Sequence, residues 1–294
     1  MGRLPSQFII AVHNELMLSA VSPRSHFPCS LITNCLLMIR WLNTQPTWFI
    51  ILASFLLLLC SWQAVVLIGD YPLFILPGPV AVVQAFLHLL AEGTLLIHAR
   101  QTLSEVLMGL LIGCLIALPL GYLLVKSPLA ERVVSPYLIA SQAIPVIAIA
   151  PLLTIWIQST YWLRVLVAVL VVFFPILINI IAGLRSVPHE LYDLMHALEA
   201  TRGQIFRKLE IPAALPIILA GLKVGATLSV IGALVGEFVQ NKSPGLGYLL
   251  IFSRQFYKTA DVFVVLLTLG AMALSLYGLV TLLERRLLRW RAKR

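Results

Sequence analysis

The chain has 294 residues, of which 60% are hydrophobic and only 11% are charged, and its formal net charge is +9. Soluble domains carry about a quarter charged residues, so this composition excludes a soluble globular protein and predicts an integral membrane protein. We therefore interpret the positive charge as a marker of topology rather than of nucleic-acid binding, because Lys and Arg accumulate in cytoplasmic loops.

The N-terminal part of the chain is mixed in composition. Residues 1–46 contain no clean membrane span and are predicted to form a cytoplasmic extension, either disordered or the result of a start site placed too early. The first apolar run long enough to cross a bilayer, which takes about 20 residues, is Thr47–Ile68. The segment Asp70–Gln101 that follows is predicted to hold one short helix, Val80–Ala91.

The rest of the chain alternates apolar runs with short polar segments, which predicts an all-α bundle of about six spans. The further predicted spans are Thr102–Val125, Val133–Leu163, Arg164–Leu184, Ala213–Phe238 and Val262–Leu283. The run Val133–Leu163 has no charge but contains Pro136, Pro145 and Pro151, so a kinked or broken span is expected. Residues 286–294 form a basic tail that is predicted to be cytoplasmic.

One polar stretch separates the fourth and fifth predicted spans. Pro188 stands where a helix can begin, because proline is tolerated in the first turn. Apolar residues then recur at i, i+3, i+4 and i+7, which predicts one apolar helix face. These residues are Leu191, Leu194, Met195 and Leu198.

A turn and a second helical piece are predicted after this helix. Thr201, Arg202 and Gly203 interrupt the apolar pattern, and a short basic piece follows that we expect Pro212 to end. A helix, a turn and a second helical piece make an element that can dock into the groove of a partner. If the N-terminus is cytoplasmic and the chain crosses the membrane six times, 15 of the 21 Lys and Arg residues fall on the cytoplasmic side. This asymmetry predicts that both termini and this loop are cytoplasmic.

Two groups of polar residues allow more than one interpretation. His189, Asp193 and His196 share one helix face and could bind a metal ion, although such a face is more often simply solvated, and no metal site is predicted. Lys223 lies about ten residues into the fifth predicted span. It is either a functional intramembrane charge or a side chain that reaches toward the cytoplasmic interface.

The loop and its surroundings resemble a known family. Six spans with a cytoplasmic helix–turn–helix loop before the fifth resemble the permease subunit of a type I ATP-binding-cassette (ABC) importer. The loop signature of that family is an EAA triplet, a glycine three residues beyond it, and an I-x-L-P ending ten residues after the glycine. Here Leu209–Pro212 takes the ending, Glu199 stands at the glycine position, and Asp193, Leu194 and Met195 stand at the triplet.

The surrounding sequence is most similar to one branch of this family, which serves nitrate, sulfonates, taurine, thiamine-pyrimidine precursors and riboflavin. The similar segments are SQAIPVIAIAPLLTIW, ATRGQIFRKLEIPAALP, VGATLSVIGALVGEF and GLGYLL. Within the branch, residues 141–156 and 193–216 resemble the riboflavin permeases most, with the pyrimidine-precursor permeases next.

The resemblance implies a fold, partners and a location. Residues 47–285 would form the permease domain, residues 185–213 its coupling loop, and the whole chain a multi-pass protein of a bacterial inner membrane. Its partners would be a cytoplasmic ATPase, an extracytoplasmic solute-binding protein, a second copy of the chain and membrane lipid. The sequence contains no G-x-x-x-x-G-K-[ST] motif, so ATP and magnesium would be bound by the ATPase and no cofactor by this chain.

The resemblance also suggests candidate residues. The coupling loop would contact the ATPase through Leu191, Asp193, Leu194, Met195, Leu198, Glu199, Arg202, Gly203 and Arg207. The polar, aromatic and kink residues that could line a substrate path are Ser141, Gln142, Pro145, Trp156 and Asn179. Glu105 and Glu237 fall near the outer ends of spans, where we expect them to face water or to contact a binding protein.

Two other classes of membrane protein fit less well. An ion-coupled secondary transporter would favour acidic groups at mid-span and an internal repeat, and the sequence shows neither. A membrane-embedded enzyme would need a nucleophile, metal ligands or an acidic cluster, and the sequence contains no HExxH, Asp-rich or Ser/His/Asp grouping. We therefore predict a transporter subunit rather than an enzyme.

Overall fold

The computed structural model of the chain describes residues 47–240 and 243–289. The predicted N-terminal extension and the last five residues of the basic tail lie outside the described residues. The chain divides into two compact units, Met1–Ser61 and Trp62–Arg294, and the account below concerns the second. The helices are α1 Thr47–Gly69, α2 Pro79–Ala91, α3 Thr94–Lys126, α4 Pro128–Ala143, α5 Val146–Trp156, α6 Thr160–Arg185, α7 His189–Ala197, α8 Arg202–Ile205, α9 Ile211–Val239, α10 Leu246–Gln255 and α11 Thr259–Leu287.

Every regular element in the described part of the chain is helical. Five helices are long and apolar enough to cross a membrane, and the bent pair α4 and α5 makes a sixth span if it is counted as one. Helices suit this environment because they satisfy their backbone hydrogen bonds internally, where no water is available. The predicted all-α bundle of about six spans is confirmed.

The predicted third span is two helices rather than one kinked helix. α4 and α5 meet at an angle of 97°. Pro145 stands at the N-terminal cap of α5, and Ile144 before it is extended with φ −86° and ψ 119°. A residue that precedes proline is driven out of the helical region, so the chain breaks there, whereas Pro136 and Pro151 lie inside helices.

α6 is packed closely between α3 and α9, and glycines make this approach possible. A Cβ added at Gly232 of α9 would lie 2.7 Å from the Cα of Ala168, and one at Gly113 of α3 would lie 3.3 Å from Val172 Cγ1. Close approaches to α6 also occur at Gly109, Gly121, Gly221, Gly225 and Gly236. Between helices in lipid, such small residues raise the van der Waals contact that holds a bundle together.

α2, α5, α10 and α11 pack beside these three spans. α11 contributes Val264, Val265 and Leu269 to a buried apolar cluster that also includes residues of α2, α3, α9 and α10. A second cluster, which includes Leu163 and Val167 of α6, joins α6 to α5. α6 is therefore the most enclosed helix of the unit.

Pro212 does not end a helix, contrary to the sequence prediction. α8, a π-helical segment at Phe206–Glu210 and α9 form one continuous helix, Arg202–Val239. Proline has no amide hydrogen, and its ring collides with the carbonyl group four residues earlier in a regular α-helix. Here the hydrogen bonding changes to the wider i→i+5 pattern immediately before Pro212, so the helix continues through the proline.

Candidate functional site

Different polar groups lie at the two ends of the Trp62–Arg294 unit. α3 ends at Lys126 and α6 ends at Arg185, so both C-termini lie at the end that carries the loop between α6 and α9. Arg164 near the start of α6 and Glu237 near the end of α9 lie at the opposite end. At 1.5 Å per residue, the length of α9 separates these regions by about 40 Å. We call them the loop end and the far end.

The loop helix α7 ends in a defined cap. The amide of Glu199 donates to the carbonyl oxygen of His196 and the amide of Ala200 to that of Met195, which is the Schellman arrangement. Glu199 has φ +52°, a left-handed conformation that glycine adopts most readily. Glu199 stands at the glycine position of the loop signature, so the cap gives a physical reason for glycine there.

The predicted apolar face of α7 is largely exposed in the single chain. Leu191, Leu194 and Leu198 keep 39%, 54% and 68% of their surface accessible, and Met195 is half-buried. None of the described α7 residues is fully buried. An apolar helix face of this kind is a surface that a partner can cover.

The other predicted loop residues are also at the surface. Asp193, Arg202, Gly203 and Arg207 are exposed, and a Cβ added at Gly203 would meet no atom within 4 Å. Thr201 and Gln204 form a reciprocal capping box that begins α8, so the predicted turn precedes Arg202. Within the described residues, no group of three His, Cys, Asp or Glu side chains is placed to hold a metal ion.

A compact group at the loop end joins α7 to the spans. Glu210 is 1% exposed, and its Oε1 accepts hydrogen bonds from Lys126 Nζ and from Tyr192 Oη, the latter at 3.2 Å. Lys126 Nζ also lies 5.6 Å from the ring centroid of Tyr122 and 5.4 Å from that of Tyr192. We call Lys126, Glu210, Tyr122 and Tyr192 the Lys126 cluster.

The Lys126 cluster lines an open cleft of about 490 Å³. The other residues that line it are His196, Arg202 and Ile205. Partial burial, together with the neighbouring Glu210 carboxylate, raises the pKa of Tyr192 to about 12. The hydroxyl of Tyr192 thus remains a donor to Glu210 well into the alkaline range.

At the far end, Arg164 is completely buried and fully engaged at its terminal nitrogens. Nη1 donates to Glu105 Oε1 at 3.1 Å and to the carbonyl oxygen of Pro244 at 2.9 Å. Nη2 donates to the carbonyl oxygens of Gln240 at 2.7 Å and Ser243 at 3.1 Å. One guanidinium thus fixes the backbone between α9 and α10 to α3 and α6.

The carboxylate of Glu237 also binds the segment between α9 and α10, at the start of α10. Its Oε1 accepts from Thr102 Oγ1 at 2.6 Å, and its Oε2 accepts from the amide of Gly247. Thr102 Oγ1 also accepts from the amide of Leu246 at 2.8 Å. A Cβ added at Gly245 would lie 2.5 Å from the carboxylate of Glu237, and one added at Gly247 would lie 2.8 Å from it. Both positions therefore need glycine.

Glu105 and Glu237 were expected to face water or to contact a binding protein, and the first alternative is wrong, because both side chains have 0% exposure, as does Arg164. Their burial is compensated by hydrogen bonds: Glu105 accepts from Arg164 and the side-chain amide of Gln101, and Glu237 from Thr102 and the amide of Gly247. The available signal was the presence of charges inside long apolar helices, where an ionisable residue usually has a specific partner.

Lys223 has a partner that sequence reasoning did not name. Its Nζ donates to Glu284 Oε2 of α11 at 2.5 Å, and it lies 5.7 Å from the ring centroid of Tyr277. Its side chain is 16% exposed. The pair links α9 to α11 in the half of each helix that is nearer the loop end.

The candidate path residues are not joined to one another. Ser141 Oγ donates to the carbonyl oxygen of Leu138 and Asn179 Nδ2 to that of Pro175, so both bond within their own helices. Gln142, Pro145 and Trp156 are exposed, the last at 74%. Within the described residues, no hydrogen bond or ring contact connects any two of the five candidates.

Comparison with known proteins decides the family. Residues 109–289, more than half of the chain, match the family described as binding-protein-dependent transport system inner membrane component. The chain belongs to this family. It is a permease subunit of an ABC importer, as the loop between α6 and α9 predicted.

Two relatives are similar over most of their length. The riboflavin transport system permease protein of Chloroflexus aurantiacus is 44% identical over 239 residues, which cover 81% of this chain and 89% of the relative. The formylaminopyrimidine transport permease protein of Halalkalibacterium halodurans is 35% identical over 252 residues, which cover 85% and 96%. The predicted branch of the family is confirmed.

The fold is shared with a solved transporter. The inward-facing MetNI methionine ABC transporter contains a chain that aligns with a TM-score of 0.60 at 20% identity, over 67% of this permease and 97% of that chain. The relatives are transporter subunits rather than enzymes, and the same holds for this permease. Its spans make it a multi-pass membrane protein.

Proposed function

We propose that this permease forms the translocation path for riboflavin in an ATP-driven importer. The observation that supports riboflavin as the transported solute is the 44% identity, over 239 residues, to a riboflavin system permease. A second candidate is a thiamine pyrimidine precursor, favoured by the 35% identity to the formylaminopyrimidine permease. Both ligands contain planar nitrogen heterocycles, which aromatic side chains bind well. Sulfonates, taurine and nitrate, the other solutes of this branch, are further alternatives.

The proposed docking site for a cytoplasmic ATPase is α7. Three exposed leucines on one face of a short helix suit an apolar groove, and burying one such side chain stabilises a complex by about 1.5 to 3 kcal/mol. Arg202 and Arg207 are exposed beside α7 and fit an acidic rim on the ATPase. ATP and magnesium would be bound by that partner, since the permease has no phosphate-binding glycine loop.

A second copy of the permease is the proposed partner for α4 and α5. No residue of α4 is buried, and Tyr137 and Ile139 keep 72% and 70% of their surface exposed. On α5, Ile155 and Trp156 keep 72% and 74%. A two-fold dimer would cover this face and place the bend between α4 and α5 beside the path.

The residues proposed to line the path are those that the sequence suggested. Ser141, Gln142 and Pro145 lie at the bend between α4 and α5, Trp156 ends α5, and Asn179 lies on α6. The exposed side chains of Gln142 and Trp156 offer a hydrogen-bonding group and an aromatic face, which suit a heterocycle that passes through without tight binding. Selection of the solute would then be made by the extracytoplasmic binding protein.

The proposed orientation in a bacterial inner membrane places the loop end in the cytoplasm. The loop end carries Arg285 and Arg286 in the last turn of α11, together with Lys126, Arg185, Arg202, Arg207 and Lys208. Positive residues accumulate on the cytoplasmic side of membrane proteins, so both termini are expected there.

The function is tested with the permease together with the ATPase and the binding protein that we expect neighbouring genes to encode. Calorimetry of the binding protein against riboflavin, formylaminopyrimidine, taurine and nitrate identifies the delivered solute. Proteoliposomes that contain the complex then measure ATP-dependent uptake of that solute, with liposomes lacking the permease as control. Tight riboflavin binding and uptake are expected. Binding of a different solute would replace riboflavin, and the absence of ATP-dependent uptake for every solute would overturn the proposal.

A further inference from the structure

The loop helix α7 is held to the spans by polar and aromatic contacts rather than by buried apolar side chains. None of its residues is fully buried, and its three leucines are exposed. Tyr192 of α7 contacts the spans through its side chain, by a hydrogen bond to Glu210 and a cation–π contact with Lys126. The Lys126 cluster is therefore a polar connection between α7 and the spans.

The partners of Tyr192 lie on two different spans. Lys126 is the last residue of the 33-residue helix α3. Glu210 is the last residue of the π-helical segment, directly before α9. α3 and α9 both pack on α6 through glycines. A displacement of α7 that reaches this cluster would therefore act on three closely packed spans at once.

The carboxylate of Glu210 has room for a second arrangement. Its Oε1 accepts from both Lys126 and Tyr192, whereas its Oε2 is buried without a hydrogen-bond partner. The cleft of about 490 Å³ borders all three side chains. Either donor can move from Oε1 to Oε2 without leaving the carboxylate, and such discrete alternatives are what a conformational switch requires.

We propose that Lys126, Glu210 and Tyr192 are positioning residues for energy coupling, which transmit the displacement of α7 to α3 and α9. This inference rests on the proposed docking of α7 on an ATPase. The π-helical segment supports it, because such segments are frequently found at functional sites, and Glu210 is the last residue of this one. The alternative is that the cluster only stabilises the folded loop.

The test separates transmission from stability. The variant K126M leaves Glu210 buried without its cation, so it does not separate the two roles. The double variant K126M/E210Q removes both charges and leaves no buried unpaired charge. Y192F removes the hydroxyl donor but keeps the ring over Lys126. The controls are K126R, which keeps the cation, and K258M, which removes an exposed lysine outside the cluster.

Three quantities are measured in proteoliposomes that contain the permease and its ATPase: assembly, ATP hydrolysis, and ATP-dependent maleimide labelling of Ser159→Cys. Ser159 is exposed before α6 at the far end, and the native cysteines are replaced by alanine. The labelling reports a conformational change without any knowledge of the solute. Riboflavin uptake is measured separately, so that a wrong substrate does not affect this result.

We expect K126M/E210Q and Y192F to assemble and to hydrolyse ATP within about twofold of the parent, while the ATP-dependent change in labelling falls about tenfold. K126R and K258M should keep the full change. Full ATP-dependent labelling in K126M/E210Q would overturn the inference. The inference would also be overturned if the variants lost assembly in proportion to their loss of ATP hydrolysis and labelling, because the cluster would then have only a structural role.

Discussion

Arg164 and Glu105 form an ion pair in which neither side chain has any exposed surface, with Nη1 of the arginine 3.1 Å from Oε1 of the glutamate. Three backbone carbonyl groups complete the surroundings of this guanidinium, and Glu237 holds the neighbouring backbone through the amide of Gly247. The pair stabilises one path of the backbone between α9 and α10. Its removal should therefore affect the fold of the far end rather than the loop end.

Replacing Arg164 by methionine should lower stability strongly. R164M leaves the buried Glu105 carboxylate without its cation, and breaking a buried pair in this way costs about 3 to 5 kcal/mol. The thermal midpoint of the purified permease in detergent, followed by size-exclusion chromatography, measures the loss. The double variant R164M/E105Q should recover part of it, and R254M, at an exposed arginine, should change little. A midpoint for R164M equal to that of the parent would contradict the buried pair.

Replacing Gly232 by alanine should also destabilise the permease. The added methyl group would lie 2.7 Å from the Cα of Ala168, and backbone cannot move aside as a flexible side chain can. Overpacking of this kind costs about 1 to 3 kcal/mol. The same thermal assay applies. Gly270→Ala on α11 is the matched control, because no atom lies within 4 Å of its Cβ and alanine favours a helix.

Replacing Glu199 by glycine should stabilise the end of α7. Glycine adopts the left-handed conformation without the cost of about 1 kcal/mol that other residues bear. Hydrogen exchange at the amides of Glu199 and Ala200, which close the cap, should slow about fivefold. Glu199→Val, with a branched Cβ, should accelerate the same exchange. Equal rates in all three proteins would show that the backbone at this position does not limit the cap.

Replacing Leu194 by serine should weaken the association with the ATPase. Leu194 is 54% exposed on the apolar face of α7, and the loss of its burial in a complex should raise the dissociation constant about tenfold. Co-purification and fluorescence titration with the ATPase measure the change. His189→Ser, on the opposite face, is the control and should leave the affinity within about twofold. If Leu194→Ser and His189→Ser bound the ATPase with equal affinity, the apolar face of α7 would be excluded as the surface that contacts the ATPase.

The sequence predicted the spans well because apolar runs of 20 or more residues allow few alternatives in a membrane. The α7 helix and its apolar face followed from periodicity in the same way. Pro212 was misjudged because a π-helical segment, which sets no clear pattern in the sequence, accommodates it. Charges inside apolar helices indicated that Glu105 and Glu237 have partners, but the partners could not be named, since Arg164 lies 59 residues from Glu105 and Thr102 lies 135 residues from Glu237 along the chain.

The glycine contacts of α6 also limit how the permease can change shape. Moving α3 away from α6 would open gaps at three close contacts, and moving α9 away would open gaps at four; lipid tails could not fill them without losing the packing that holds the bundle together. A transport cycle would therefore leave these three helices as one rigid body. The opening and closing of the pathway would fall to the 97° bend between α4 and α5, where few side chains are buried and a change of angle breaks little.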